Sequence, residues 1–335
     1  MVKLKFNVLA FLLLFFLNFQ QNIIAQQITK IAFGSCNKHD LPQPLWKPII
    51  ADQPDIFMWL GDNIYGDTPD MHLLKSKYNA QNAKPDYQEL KRETKIIGVW
   101  DDHDYGINDG GKYYAQRKAS MQLMLDFLDE PRDSPRRNQK GVYAAYEYGK
   151  DDESVKVFLL DTRYNRDTLY KEDGAYLPNR EGYILGEEQW AWLEKELANS
   201  KARVNIIASG IQIIPTEHPY EKWENFPLER EKLLNIIFNS GIKKPVLISG
   251  DRHIAEISRL KDNRFTNGLY EITSSGMTHV WKDYREEYNP YRTGGLIASL
   301  HYGLAFFDWK KDLMIYQIKG EKGQVYIEQA INLHD

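Results

Sequence analysis

Five times along this chain a short apolar run stops at a residue able to bind a cation. Lys30-Ile31-Ala32-Phe33 leads into Gly34-Ser35-Cys36, and Asp55 to Leu60 into Gly61-Asp62. Lys95 to Trp100 leads into Asp101-Asp102-His103-Asp104, Val155 to Leu160 into Asp161-Thr162-Arg163, and Val246 to Ser249 into Gly250-Asp251-Arg252-His253. Apolar runs of this length, bounded by turn residues, read as buried strands. Between them lie segments with helical spacing: 112–128, Glu187 to Leu197 with Trp190, Leu193 and Leu197 on one face, and Leu228 to Phe238. Strands alternating with helices predict a sheet covered by helices. Further strand-like runs at Leu269–Thr273, Leu304–Trp309, Leu313–Lys319 and Val325–Ile331 make the C-terminal third strand-rich. The expected fold class is α/β: a two-sheet β-sandwich core flanked by helices, with the C-terminal strands building the second sheet. Residues 26–335 read as a single domain, since no repeat or Ser/Gly-rich linker divides them.

One strand ending in Asp-Gly is ordinary turn chemistry. Five ending in Asp, Cys or His predict convergence, because ligands of α/β sheets bind at the carboxyl ends of strands. The adjacent acids Asp101, Asp102 and Asp104 repel one another, and a multivalent cation offsets that repulsion. Oxygen donors suit Ca²⁺, Mg²⁺ or Mn²⁺, whereas a thiol and a phenol point to a transition metal.

The first 25 residues read differently. Lys3 and Lys5 precede a nearly continuous apolar stretch from Phe6 to Phe19, and Ile23-Ile24-Ala25 is a plausible cleavage end, which together resemble a secretory signal peptide. The alternative is an uncleaved anchor, although the run is short for a membrane span. The expected location is periplasmic or secreted, with no stable membrane span once the signal is removed. Removal takes away two lysines and no acids, moving the formal charge from −4 to −6. That is no electrostatic footprint for nucleic acid. With one cysteine, Cys36, the chain has no internal disulfide.

Taken together, WLGDNIYGD (59–67), VWDDHDYGIND (99–109), LLDTR (159–163) and SGDRH (249–253), with GSC (34–36) upstream, resemble the PhoD-like alkaline phosphatases. The resemblance implies a calcineurin-like metallophosphoesterase core without the extra N-terminal β-domain of larger relatives. It implies an exported enzyme hydrolysing phosphomonoesters or phosphodiesters, a metal-bound hydroxide attacking phosphorus. The implied cofactors are Fe³⁺ and Ca²⁺, with Zn, Mn or Mg as substitutes. Cys36, Asp62, Tyr65 and Asp251 match the iron ligands, with Asp62 bridging to calcium, and Asp102, Asn108 and His253 match the calcium side. By the same analogy His103 holds a phosphoryl oxygen or protonates the leaving group, and Arg163 clamps a phosphate oxygen.

Each residue has a structural alternative: Asp62 as a turn former, Tyr65 as a core aromatic, Cys36 as a buried hydrophobe, Arg163 as the ion-pair partner of Asp161. Asp101 and Asp104 read as supporting rather than ligating. His39, His72 and His279 read as ordinary histidines. The wider fold has a further histidine near IIASGIQIIP (206–215); none stands there, and His218 is the nearest. The segments Tyr164–Tyr183 and 281–285 read as loops that cover the crevice or simply pack. The substrate is a small-molecule phosphoester or a lipid head group. The competing functions are a phospholipid-directed phosphodiesterase and a non-catalytic calcium-binding surface protein.

Overall fold

A computed structural model describes residues 27–265, 268–282 and 287–334. The expected leader over residues 1–25 lies outside the described residues, as does most of the 281–285 segment.

The strands are β1 (Lys30–Gly34), β2 (Ile56–Leu60), β3 (Lys95–Val99), β4 (Ala144–Tyr148), β5 (Val155–Leu159), β6 (Tyr170–Glu172), β7 (Ala175–Leu177), β8 (Val204–Ser209), β9 (Pro245–Ser249), β10 (Ala255–Leu260), β11 (Leu269–Ser274), β12 (Tyr302–Asp308), β13 (Leu313–Lys319) and β14 (Val325–Asn332). The helices are α1 (Trp46–Asp52), α2 (Met71–Asn82), α3 (Pro85–Glu93), α4 (Asp102–Tyr105), α5 (Arg117–Phe127), α6 (Gly186–Asn199) and α7 (Pro227–Asn239).

Two six-stranded sheets form the core, in the orders β14-β13-β12-β1-β2-β3 and β10-β11-β9-β8-β5-β4, with β6 and β7 as a separate hairpin. In the first sheet β1, β2 and β3 are mutually parallel, and in the second β5, β8, β9 and β11 are. Parallel strands end on the same edge, which is what brings the polar strand ends together.

The period-2 geometry of strands sorts their side chains. Val155, Val157 and Leu159 of β5, Val204, Ile206 and Ala208 of β8, and Val246 and Ile248 of β9 join the core shared by both sheets. Their neighbours Phe158, Ile207 and Leu247 pack instead with Trp190, Leu193, Leu233 and Ile237 of α6 and α7. These strands are apolar at most positions because both faces are buried, with Lys156, Asn205, Ser209 and Ser249 as the polar exceptions. The first sheet is covered through aromatic rings: Trp59 packs on Trp46 of α1, Tyr87 of α3 and Phe127 of α5 at centroid distances of 5.5, 5.8 and 6.2 Å.

The α/β class and the two sheets match expectation, but the origin of the second sheet does not. The C-terminal strands β12, β13 and β14 extend the first sheet, β12 pairing antiparallel to β1. The second sheet is drawn mostly from the middle of the chain. Which edge a strand joins is set by through-space packing, so apolar runs in sequence leave it open. The helix expected over 112–128 begins only at Arg117. Residues 110–114 instead form turns, with Lys112 N–H donating to Arg166 O and Tyr114 O–H to Thr68 O. No described helix is long and apolar enough to cross a membrane.

Candidate metal centre

The turns after β1, β2 and β9 hold their polar residues in the left-handed region: Cys36 at φ 60°, Asp62 at 50°, Asp251 at 70° and His253 at 54°. Aspartate tolerates this conformation and cysteine does so rarely. Non-glycine residues held there cost roughly 1–3 kcal/mol each and gather at functional sites. Strain therefore concentrates at these strand ends.

Hydrogen bonds then fix where each acid goes. Asp104 is fully buried and accepts the N–H groups of Asp101, Asp62 and Asn63 at 2.6, 3.2 and 3.2 Å, tying the β2 turn to the β3 turn. Asp101 pairs with Arg163, whose Nη2 lies 2.6 Å from its Oδ1, while Arg163 Nη1 donates to Glu221 at 2.7 Å. Backbone crowding seats Asp101: a Cβ at Gly61 (φ +93°) would come within 2.4 Å of its Cβ, and one at Gly210 within 2.7 Å of its Oδ1. Asp102 accepts the N–H groups of His103 and Asp109 at 2.9 and 2.7 Å. Two of the three adjacent carboxylates are thus offset by a guanidinium and by backbone N–H groups. That corrects the expectation that a cation is needed for all three.

What remains uncompensated converges. Donor atoms lie within 4.8 Å of one another in overlapping groups: Cys36–Asp62–His253, Asp62–Asp102–His103, Asp101–Asp102–Asp251 and Asp102–Asp109–Glu221. Tyr65 O–H sits 3.2 Å from Asp62 Oδ2, 3.0 Å from His253 Nε2 and 2.9 Å from His279 Nε2. Cys36 Sγ lies 3.6 Å from Asp62 Oδ2 and 3.6 Å from the carbonyl oxygen of Asp251.

The electrostatics of the metal-free cluster are adverse. Burial, against the pull of His103, pushes Asp62 up to about 7. Burial and the charge of Asp102 push Asp251 well above the carboxylate range. Burial and Asp62 raise the Cys36 thiol, and burial raises the Tyr65 phenol. Asp102 is held low although burial opposes it, because Arg163 and His103 stabilise its charge. Burial also keeps His253 and His279 neutral, down to about 4 and about 3. Without a cation the acid groups of the cluster therefore hold on to their protons, and Asp101 Oδ2 is buried with no hydrogen-bond partner. A polyvalent cation resolves such an arrangement, since ligands release protons on binding it. Thiol, phenol, imidazole and carboxylate together fit a transition metal. The all-carboxylate groups around Asp102 fit a hard cation.

The cluster opens into a cleft of about 280 Å³, lined among others by Asp102, His103, Asn108, Asp251, Arg252 and His253. A hollow of about 460 Å³ adjoins it, sharing Asn108, Asp109, Lys171 and Tyr176. His103 stands half-buried, its Nδ1 2.7 Å from Asp67 Oδ1 and its ring stacked on Tyr65 at 4.1 Å. Burial opposes its protonation, but Asp62 and Asp67 win and lift it to about 10.

The sequence-predicted residues distribute as follows. Cys36, Asp62, Tyr65 and His253 stand together. Asp251 contributes its carboxylate beside Asp101 and Asp102 and its carbonyl toward the thiol. His253, expected beside Asp102 and Asn108, groups instead with Cys36 and Asp62. Asn108 is exposed on the cleft wall. Arg163 is fully buried with its fork held by Asp101 and Glu221, so a phosphate-clamping role is not open to it. Its ion-pair partner is not Asp161 either. Asp161 binds the N–H groups of Val142, Arg163 and Tyr164. His218 is buried, and neither ring nitrogen has a hydrogen-bond partner.

Sequence reasoning missed His279, Asp109, Glu221 and Asp67. His279 had a signal, since it follows the end of β11 by five residues; Glu221 follows no strand.

Comparison with known proteins gives a consistent picture. The family model described as PhoD-like phosphatase matches residues 31–281. Alkaline phosphatase D of Bacillus subtilis (strain 168) is 23% identical over 274 residues, covering 68% of this chain. The chain spans less than half, 46%, of that relative's length. Among solved structures, PhoD aligns with a TM-score of 0.72 at 18% identity, covering 91% of this chain and 69% of its own. GAP50, the anchor in the inner membrane complex of Plasmodium, aligns at 0.60 and 13%, covering 92% and 90%. A dimetal phosphatase from Danio rerio aligns at 0.59 and 14%, covering 92% and 100%.

Proposed function

The chain belongs to the PhoD-like phosphatase family, and on that premise we propose that it is an exported, metal-dependent phosphoesterase. Fold alone does not decide this, since an anchor protein shares it. The carrying observation is the site: Asp62, Asp102 and Asp251, from three separate strand ends, meet in overlapping donor groups beside a thiol, a phenol and two imidazoles.

Cys36, Asp62, Tyr65 and His253 would hold an Fe³⁺, with the Asp251 carbonyl facing the thiol. Asp102, Asp251 and Asp62 would hold Ca²⁺, with Asn108 on the open side. Zn, Mn or Mg are the substitutes. Bound cations supply charge neutralisation at phosphorus and an acidified water as nucleophile.

The chain's own groups do the rest. Burial of Asp62 and Asp102 excludes water behind the phosphate and keeps the local dielectric low, so their charge acts strongly. His103, with Nδ1 engaged by Asp67, has Nε2 free to donate to a phosphoryl oxygen or to the departing alkoxide. Arg163 acts indirectly, fixing Asp101 behind Asp102. Lys171, exposed on the cleft wall, is the cation best placed to meet a phosphate, whereas Arg252 lines the cleft with its guanidinium already held by Glu287 and Gln212. The adjoining hollow leaves room for a second ester group, which favours activity on diesters as well as monoesters.

The test is metal analysis of the purified protein together with turnover of 4-nitrophenyl phosphate and bis(4-nitrophenyl) phosphate, before and after chelation. Chelation is expected to abolish both activities and metal addition to restore them. A protein that carries its full metal complement and hydrolyses neither ester would overturn the proposal. A mature N-terminus near residue 26, read by N-terminal sequencing of exported protein, is expected for the leader; a start at Met1 refutes cleavage.

A further inference from the structure

We propose that His279 is a further donor to the cation held by Cys36, Asp62 and Tyr65, its ring nitrogen Nε2 being presented as a bare lone pair by Thr278. This rests on the metal-centre reading above and extends it to a residue that neither motif spacing nor strand-end position assigned.

The loop carrying His279 is bound to the segment carrying Cys36. Met277 N–H donates to Ser35 O at 3.1 Å, Thr278 N–H to Cys36 O at 3.3 Å and Thr278 Oγ1–H to Cys36 O at 3.1 Å. These three bonds tie the segment that carries His279 to the one that carries the thiol.

The partners of Thr278 favour one tautomer of His279. Thr278 Oγ1 has one hydrogen and two lone pairs. Its hydrogen is directed to the Cys36 carbonyl at 3.1 Å, which can only accept. Lys38 N–H, at 2.8 Å, fills one lone pair. His279 Nδ1, at 3.1 Å, is the remaining neighbour, and it satisfies the oxygen only by donating. A neutral imidazole with hydrogen on Nδ1 has none on Nε2. That nitrogen lies 2.9 Å from Tyr65 O, which is also 3.0 Å from His253 Nε2 and 3.2 Å from Asp62 Oδ2. The phenol has a single hydrogen for the three groups around it, Asp62, His253 and His279. Asp62 Oδ2 also faces the Cys36 thiol at 3.6 Å, so phenol, thiol, carboxylate and imidazoles converge on one point, where a cation would take the lone pair of His279 Nε2. Ligating histidines are oriented this way, the second ring nitrogen donating to a protein oxygen. Here Thr278 is that oxygen, and His253 and His279 close the site with their rings 4.4 Å apart and nearly perpendicular.

The experiment titrates metal-free full-length protein with Zn²⁺, and separately with Co²⁺, whose visible spectrum reports ligand number and type. In wild type a tight site with a thiolate-to-Co²⁺ band is expected. His279→Ala should weaken that site roughly 10- to 100-fold and shift the Co²⁺ bands, with partial recovery on adding free imidazole. Thr278→Val should weaken it less and shift the bands less, since it frees the tautomer without removing the ring. His72→Ala, at the start of α2, is the control and should change neither. If His279→Ala fails to fold, His279→Gln is read in the same way. Unchanged Zn²⁺ affinity and unchanged Co²⁺ bands in a folded His279 variant would overturn the inference. Wild-type protein that binds metal with these bands but hydrolyses no phosphoester would instead sink the proposed function and leave the role of His279 standing.

Discussion

Each sheet has a run of parallel strands extended by antiparallel ones, on one side in the first sheet and on both in the second, yet the two serve the site differently. In the first sheet every parallel strand ends in a cluster residue: Cys36 after β1, Asp62 after β2, Asp102 after β3. In the second sheet only the turns after β9 and β11 do so, through Asp251, His253 and His279. After β5, Asp161 spends its carboxylate on three backbone N–H groups. After β8, Gln212 bridges Glu256, Thr273 and Arg252 within the protein. A polar residue at a strand end is thus an opportunity for ligation, and what lies opposite decides whether it is taken.

That contrast can be broken by substitution. The largest effect belongs to the first sheet: Asp62→Ala removes the carboxylate common to the thiol and carboxylate groups and should lower kcat/KM by roughly 10³-fold or more, with loss of bound metal on elemental analysis. Near-normal turnover would mean the strand ends of the first sheet do not form the site. Arg163→Met comes next. It strands Asp101 and Glu221 in the interior and should cost about 4 kcal/mol in urea unfolding. A stable variant with only a raised KM would return Arg163 to the role of phosphate clamp.

Asp161→Ala tests the second sheet directly. Losing three buried hydrogen bonds should cost about 3 kcal/mol by the same assay, while metal stoichiometry stays at the wild-type value. Loss of metal without loss of stability would make Asp161 a ligand after all.

The smallest effect lies at a seam between the sheets. His301, just before β12, accepts Ser275 N–H on Nε2 at 3.0 Å and donates from Nδ1 to Ser299 O at 2.8 Å. Burial holds it down to about 4, below its ordinary 6.5. The unfolded chain therefore takes up the proton first as pH falls, and stability is lost from pH 6.5 downward to 4. Urea midpoints should show about 2 kcal/mol less stability at pH 5 than at pH 7 from this group alone. His301→Asn should remove about 2 kcal/mol of that loss and leave the share of the other buried neutral histidines, His253 and His279 among them; an unchanged slope would assign the limb to those.

Much of this was legible in the residues. The strands ending at Cys36, Asp62, Asp102 and Asp251 were visible because a strand buried on both faces is apolar at most positions, so its polar end stands out. Helices α1, α2 and α3 and strands β4 and β10 were not, since α2 is largely polar and the others carry short, mixed patterns. The failure over Arg163 has a different origin: LLDTR locates a guanidinium at a strand end but says nothing of Glu221, far along the chain, that captures it.

The sequence by itself determined the alternation of strand and helix, the common edge of the parallel strand ends and the chemical types gathered there, because these follow from local periodicity and chain direction. Only the tertiary structure decided which of three adjacent aspartates is compensated by protein, which sheet the C-terminal strands join, and that His279 faces Tyr65. Those outcomes depend on charges and donors meeting through space, and a hydrogen bond or ion pair forms between groups a few ångströms apart however many residues separate them.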